Sequence, residues 1–249
     1  MAIIALAVSC LIGLPKAAQA EFRFGRDDDM QAYVESNLLA VFYHELGHAL
    51  IDILRLPIFG QEEDAADVLS VFLIDAFYEE ESAVQLAYDT AFGFLDWADE
   101  EPEPAYWDVH GPDLQRYYNL VCLFYGANPD ERAEVAQDLE LPEERADYCA
   151  DEYDQAADSW GAVLDEIRHA EGGRSILLGE LDERSEGAEL TTLVIRDEVA
   201  ALNAEFRLPE DLRVSVAPCA EANAFYDPQQ REIVMCSEFA DALAQIYSD

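Results

Sequence analysis

The chain has 249 residues, with 14 basic against 54 acidic side chains and a formal net charge of −40. Hydrophobic residues make up 51%, enough to pack one large domain or two small ones, so the charge does not signal disorder. A surface this negative repels phosphate backbones and anionic headgroups, which excludes nucleic acid as a partner and electrostatic docking of the mature chain on a membrane.

Ile3 to Leu14 is an apolar run too short to span a bilayer, and Ala18-Gln19-Ala20 is a site that a signal peptidase can cut. Residues 1–20 therefore read as a signal peptide, Glu21 as the mature N-terminus, and the protein as exported to a periplasm or to the medium. Lys16 is the chain's one lysine and leaves with that segment. The acidic surface left behind suits salt or an extracellular setting.

Ser36 is the expected cap of a first helix reaching about Arg55, closed by Pro57 and Gly60. A second helix is expected from Glu62, with Val68, Leu69, Phe72 and Leu73 at helical spacing, and a third from Ser82 to Ala98. Asp99 to Pro104 reads as a loop, followed by helices over Asp113–Tyr125, Asp130–Asp138 and Glu143–Ile167. Gly172-Gly173 and the polar run around Ser185 mark a linker, and Thr191 to Phe206 a further helix. Leu212–Ala217 alternates like a strand, and Asn223–Tyr226 and Glu232–Cys236 flank Asp227-Pro228 as a hairpin. The fold class is α+β, mainly helical, with a small antiparallel sheet from the C-terminal part. Residues 21–170 form the helical part and 171–249 the α+β part, packed together as one domain.

Beyond Cys10, in the leader, the cysteines are Cys122, Cys149, Cys219 and Cys236. An even number in an oxidising compartment suggests two disulfides, and locality favours Cys122–Cys149 and Cys219–Cys236. None shows C-x-x-C spacing, so they are staples rather than zinc ligands or a redox pair.

Chemistry concentrates in the first helix, at His44-Glu45-Leu46-Gly47-His48. Histidines four apart project from one helical face, so both imidazoles can reach one metal ion, and neutral imidazole suits zinc. Glu45 can face a metal-bound water and take its proton. Gly47 leaves room for close approach to the helix. A third ligand is expected from Gln61-Glu62-Glu63-Asp64-Ala65-Ala66-Asp67. Glu63 and Asp67 share a face, so one can bind the metal while the other accepts the outer N–H of a ligating histidine; Glu62 and Asp64 are the competing choices.

H-E-x-x-H followed by E-x-x-A-D resembles the gluzincin metallopeptidases, and that resemblance implies Glu63 as third zinc ligand and Asp67 as the group that orients a histidine. His44–Leu50, Gly60–Asp67, His110–Pro129, Leu141–Cys149 and Asn223–Pro228 together resemble a family of bacterial exported proteins catalogued as candidate metallopeptidases of unknown function. The likeness covers most of the mature chain and supplies a class without a substrate.

The expected activity is zinc-assisted hydrolysis of a peptide or protein, with Glu45 as general base. His110, in a loop before a helix, is the first candidate for stabilising the developing oxyanion, with Arg116 or Tyr117 as others. Fifteen or so residues before Ser36 are too few for the sheet that zincin-like peptidases place ahead of the catalytic helix. The C-terminal hairpin is therefore expected to fold back beside that helix, with Asn223, Phe225 and Tyr226 lining the cleft and a peptide adding to its edge. Two other readings compete: a catalytically silent zinc protein using the same ligands, and an acidic cation-binding surface protein, for which the regular D-x-D-x-D loops are missing.

Overall fold

The computed structural model describes residues 22–25, 27–100 and 104–248, the side chains of 97–100 apart. The expected signal peptide lies outside the described residues, and so do residues 101–103 of the expected acidic loop. Among the described residues no helix is long and apolar enough to cross a membrane.

The first helix, α1 (Asp28–Leu54), begins eight residues before Ser36. Asp27 caps it instead, its carboxylate accepting from the Asp29 and Met30 N–H groups. Ser36 is buried inside the helix, its hydroxyl 2.7 Å from Asp89 Oδ2. The helix ends at Arg55 in the left-handed conformation (φ 55°), which stops it as a C-terminal glycine would. Most of α1 is buried, with Val34, Leu38, Phe42 and Ala49 fully so. A helix that is apolar nearly all round is one surrounded by others.

Its neighbours are α2 (Glu62–Phe77), α3 (Glu80–Glu100), and later α8 (Glu186–Glu205) and α9 (Phe239–Ser248). Between them come α4 (Asp113–Ala127), α5 (Ala133–Asp138), α6 (Glu143–Ala146) and α7 (Cys149–Ile167). The helix expected over Glu143–Ile167 is thus broken at Asp147-Tyr148. The Cys122–Cys149 disulfide ties α4 to the start of α7.

The sheet has four strands, β1 (Ile176–Leu181), β2 (Leu212–Ala217), β3 (Ala224–Asp227) and β4 (Glu232–Cys236), in the order β1-β2-β4-β3. Only β3 and β4 are antiparallel; β1–β2 and β2–β4 are parallel. The sheet is therefore mixed, where the sequence suggested an antiparallel one. Two placements make it so: β1, hidden in the stretch read as linker, reaches β2 through the α8 crossover and runs parallel to it, and β4 lies between β2 and β3, parallel to β2. Gly172-Gly173 is no free linker either: a Cβ on Gly173 would meet Phe206 O at 2.2 Å, and Gly173 N–H donates to Asn203 O.

β3 is an edge strand, and α1 packs against both β3 and β4. Cys236 N–H donates to Asn223 O, which puts the pairs bonded to β4 at 223, 225 and 227. The backbone groups of Ala224 and Tyr226 consequently point away from β4, the Ala224 N–H donating to Asn223 Oδ1 at 2.8 Å. The Cys219–Cys236 disulfide pins the segment leading into β3. One core cluster runs from Phe24 and α1 through the sheet to Leu243.

Candidate functional site

A cleft of about 1890 Å³ runs along α1 and is lined by His44, Glu45, His48, Glu63, Asp67, His110, Asn223, Phe225 and Tyr226, all of which the sequence put forward for the site. Three elements and one loop deliver them. α1 carries His44 and His48 one turn apart. α2 crosses it closely at Gly47, where a Cβ would lie 2.8 Å from Ala66 Cα. That approach brings Glu63 over both histidines.

Glu63 Oε2 lies 3.1 Å from His44 Nε2 and 3.2 Å from His48 Nε2, and the two Nε2 atoms are 3.2 Å apart. His110 Nε2 joins from the loop before α4, 3.0 Å from the same Glu63 oxygen. His44, Glu63 and His110 offer donor atoms that all lie within 4.8 Å of one another, a group that could hold a metal ion.

The outer nitrogens are held as well. His44 Nδ1 is 2.7 Å from Asp67 Oδ1, and His48 Nδ1 is 2.8 Å from Glu62 Oε1. Glu62, weighed from sequence as a rival ligand, thus sits on the far side of the His48 ring. Arg116 grips Asp67 with two bonds of 2.8 Å each and stacks over the Phe94 ring, an arrangement that fixes the carboxylate's direction. Asp108 accepts the His110 N–H and lies 3.3 Å from its Nδ1.

The electrostatics favour positive charge at the centre. Burial disfavours the His44 imidazolium, yet the Asp67 and Glu63 hydrogen bonds outweigh it and lift the group to about 9. Burial would raise Glu63, but His110, His44 and His48 hold it well below the carboxylate range. Burial likewise works against ionised Asp67, and Arg116 and His44 keep it at about 2. Acceptors on both nitrogens of His44 and a fully ionised Glu63 leave a point that a cation satisfies. Glu45 differs: burial pushes its carboxyl up, against the histidines' opposing pull, and the Tyr226 backbone N–H donates to it. A carboxylate raised in this way is suited to taking a proton.

Tyr226 also donates its hydroxyl to Asp52 Oδ2 at 2.8 Å, so β3 is bound to α1 on both sides of its ring. Tyr117 does not face the cleft: it is buried, and its hydroxyl donates to Leu139 O. It drops out as an oxyanion donor. The roles of Glu62 and Asp108 were missed in the sequence. Asp108, two residues before His110, is the one of the two whose spacing carried a signal.

Neither a curated protein nor a solved structure matches the chain. A family does, over residues 7–164 and 184–249, which include every residue of the cleft named above. The converging histidines and carboxylates and this match agree: the chain belongs to the family described as "Putative metallopeptidase".

Proposed function

We propose that the protein is an exported zinc-dependent peptidase. The observation that carries this is the triangle of His44 Nε2, His48 Nε2 and Glu63 Oε2, with sides of 3.1 to 3.2 Å. Tetrahedral zinc with ligands at about 2.1 Å sets its donor atoms roughly 3.4 Å apart, so these residues fit that metal with a shift of a few tenths of an ångström. His44, His48 and Glu63 would hold it, while Asp67 and Glu62 fix the two rings from behind.

Zinc held there would supply a Lewis acid for the scissile carbonyl and lower the pKa of the attacking water. Glu45 takes the proton of the attacking water and hands it to the leaving amine. His110, on the Glu63 side of the triangle, donates to the carbonyl oxygen as negative charge develops there. The peptide lies along the edge of β3, where the Ala224 and Tyr226 carbonyls face away from β4 and the Ala224 N–H, now donating to Asn223 Oδ1, would exchange that partner for the peptide. The two disulfides agree with an oxidising compartment.

Metal analysis of purified variants and digestion of a peptide library test the reading. Glu45→Gln keeps zinc and loses hydrolysis by at least about a hundredfold. Glu63→Ala loses zinc, whereas Glu62→Ala and Asp64→Ala retain it. A wild type that binds zinc and cleaves nothing transfers the case to a silent, structural zinc site.

A further inference from the structure

Large apolar side chains gather at the cleft from three distant parts of the chain. Phe59 in the α1–α2 loop is 99% exposed, Val109 before α4 is 63% exposed, and Phe225 on β3 is 41% exposed; all three line the cleft. Tyr106 and Trp107, exposed at 81% and 87%, stand in the same loop as Val109. Single exposed apolar residues are ordinary, but several converging on one cleft mark a contact surface.

The charge at the same place is one-sided. The cleft is lined by Asp52, Glu62, Asp64 and Glu152 in addition to Glu45, Glu63 and Asp67; the arginines lining it are Arg55 and Arg116. Arg116 is consumed by Asp67 and Asp113, and Arg145 neutralises Glu152. Asp52, Glu62 and Asp64 are exposed; Glu62 lies beside His48 Nδ1 and Asp52 accepts the Tyr226 hydroxyl, and Arg55 is the one other arginine of the cleft. Behind them stands a whole-molecule charge of −40, whose field raises the encounter rate of cations and repels anions.

From Asn37 to Asp52 the cleft follows α1 for about 22 Å, the reach of roughly seven extended residues. We propose that this cleft selects extended peptide segments that are cationic and carry large apolar side chains, and that acidic chains are left outside. The inference rests on the reading of the cleft as a peptide site and adds the substrate class.

The test uses zinc-loaded Glu45→Gln protein and fluorescein-labelled peptides of about seven residues, the length the cleft holds. The peptides share a Leu/Phe-bearing frame and differ in charge; one cationic version has Ser at the apolar positions. Anisotropy at low salt is expected to give the cationic peptide at least about tenfold tighter binding than the anionic one, with the gap closing as salt screens the field. Asp52→Asn together with Asp64→Asn narrows the gap severalfold at low salt while keeping the side-chain shapes and the Tyr226 hydrogen bond. Serine at the apolar positions weakens binding at every salt concentration.

Equal binding across charges, a gap untouched by salt, or no binding of any peptide overturns the proposal. Its failure is separable from that of hydrolysis. Charge-selective binding by Glu45→Gln with no cleavage by wild type sinks the peptidase reading alone. Cleavage of anionic peptides as fast as cationic ones by wild type sinks the substrate class alone.

Discussion

Gly47 sets the distance between the two helices that carry the proposed ligands. A methyl group there would press on Ala66, at 2.8 Å from its Cα and 3.0 Å from its Cβ, and neither atom is the end of a flexible chain. Gly47→Ala is therefore expected to cost about 1 to 3 kcal/mol by overpacking. Its lever effect is larger: α2 moves off, Glu63 leaves the histidines, and metal affinity falls at least tenfold or so. Urea unfolding and zinc titration of the same variant check both effects; unchanged affinity with lowered stability would show that α2 tilts without moving Glu63. The sequence carried much of this. The spacing of His44 and His48 and the small residue between them were legible because helical phase alone decides them. Arg116 as the partner of Asp67 was not, since it depends on where α4 crosses α2, 49 residues downstream of the aspartate.

At the scale of elements, α1 is bolted to α8 by a buried carboxylate. Glu198 on α8 accepts from the Tyr43 hydroxyl at 2.7 Å and from the Tyr78 hydroxyl at 3.4 Å. Burial raises its pKa from 4.5, and the two hydroxyls only partly offset this. The native state thus holds a proton that the unfolded chain has released, so stability falls as pH climbs from 4.5 toward the native value. Glu198→Gln removes the charge, keeping the Tyr43 bond on its oxygen while its amide N–H donates to the Tyr78 oxygen. It is expected to match wild type near about pH 4 and to exceed it near pH 8, measured by urea unfolding across that range. A variant weaker by the same amount at each pH would mean that the hydrogen bonds, not the charge, decide. Most helices were readable from periodicity. The start of α1 was not, because Asp27 competed with Ser36 as a cap and tertiary contact with Asp89 claimed the serine. β1 was lost because its outward faces leave Leu177 and Leu178 exposed, without the alternation that marks a half-buried strand.

For the whole molecule, two staples close loops within separate parts of the chain, at sequence separations of 27 for Cys122–Cys149 and 17 for Cys219–Cys236. Loop entropy assigns each roughly 3 to 4 kcal/mol. Replacing either pair by serine should lower stability by that order in urea unfolding. Only the loss of Cys219–Cys236 should also weaken peptide binding, since it frees the approach to Asn223; equal effects of the two pairs on binding would refute that division. Pairing followed from sequence locality, but the mixed sheet did not, because parallel order is decided by a crossover rather than by any strand. Chain order has a last consequence in time. The donors from His44 to His110 lie in the first half, while β3 and α9 come from the last 26 residues, 224–249. During synthesis α1 and α2 emerge and can gather a metal ion long before any strand exists along which a peptide could be laid. On the proposed reading, the cutting edge is sharpened early and the anvil arrives last. Hydrolysis waits for the carboxyl end of the chain, and a protein truncated before β3 would be a metal binder that cannot cut.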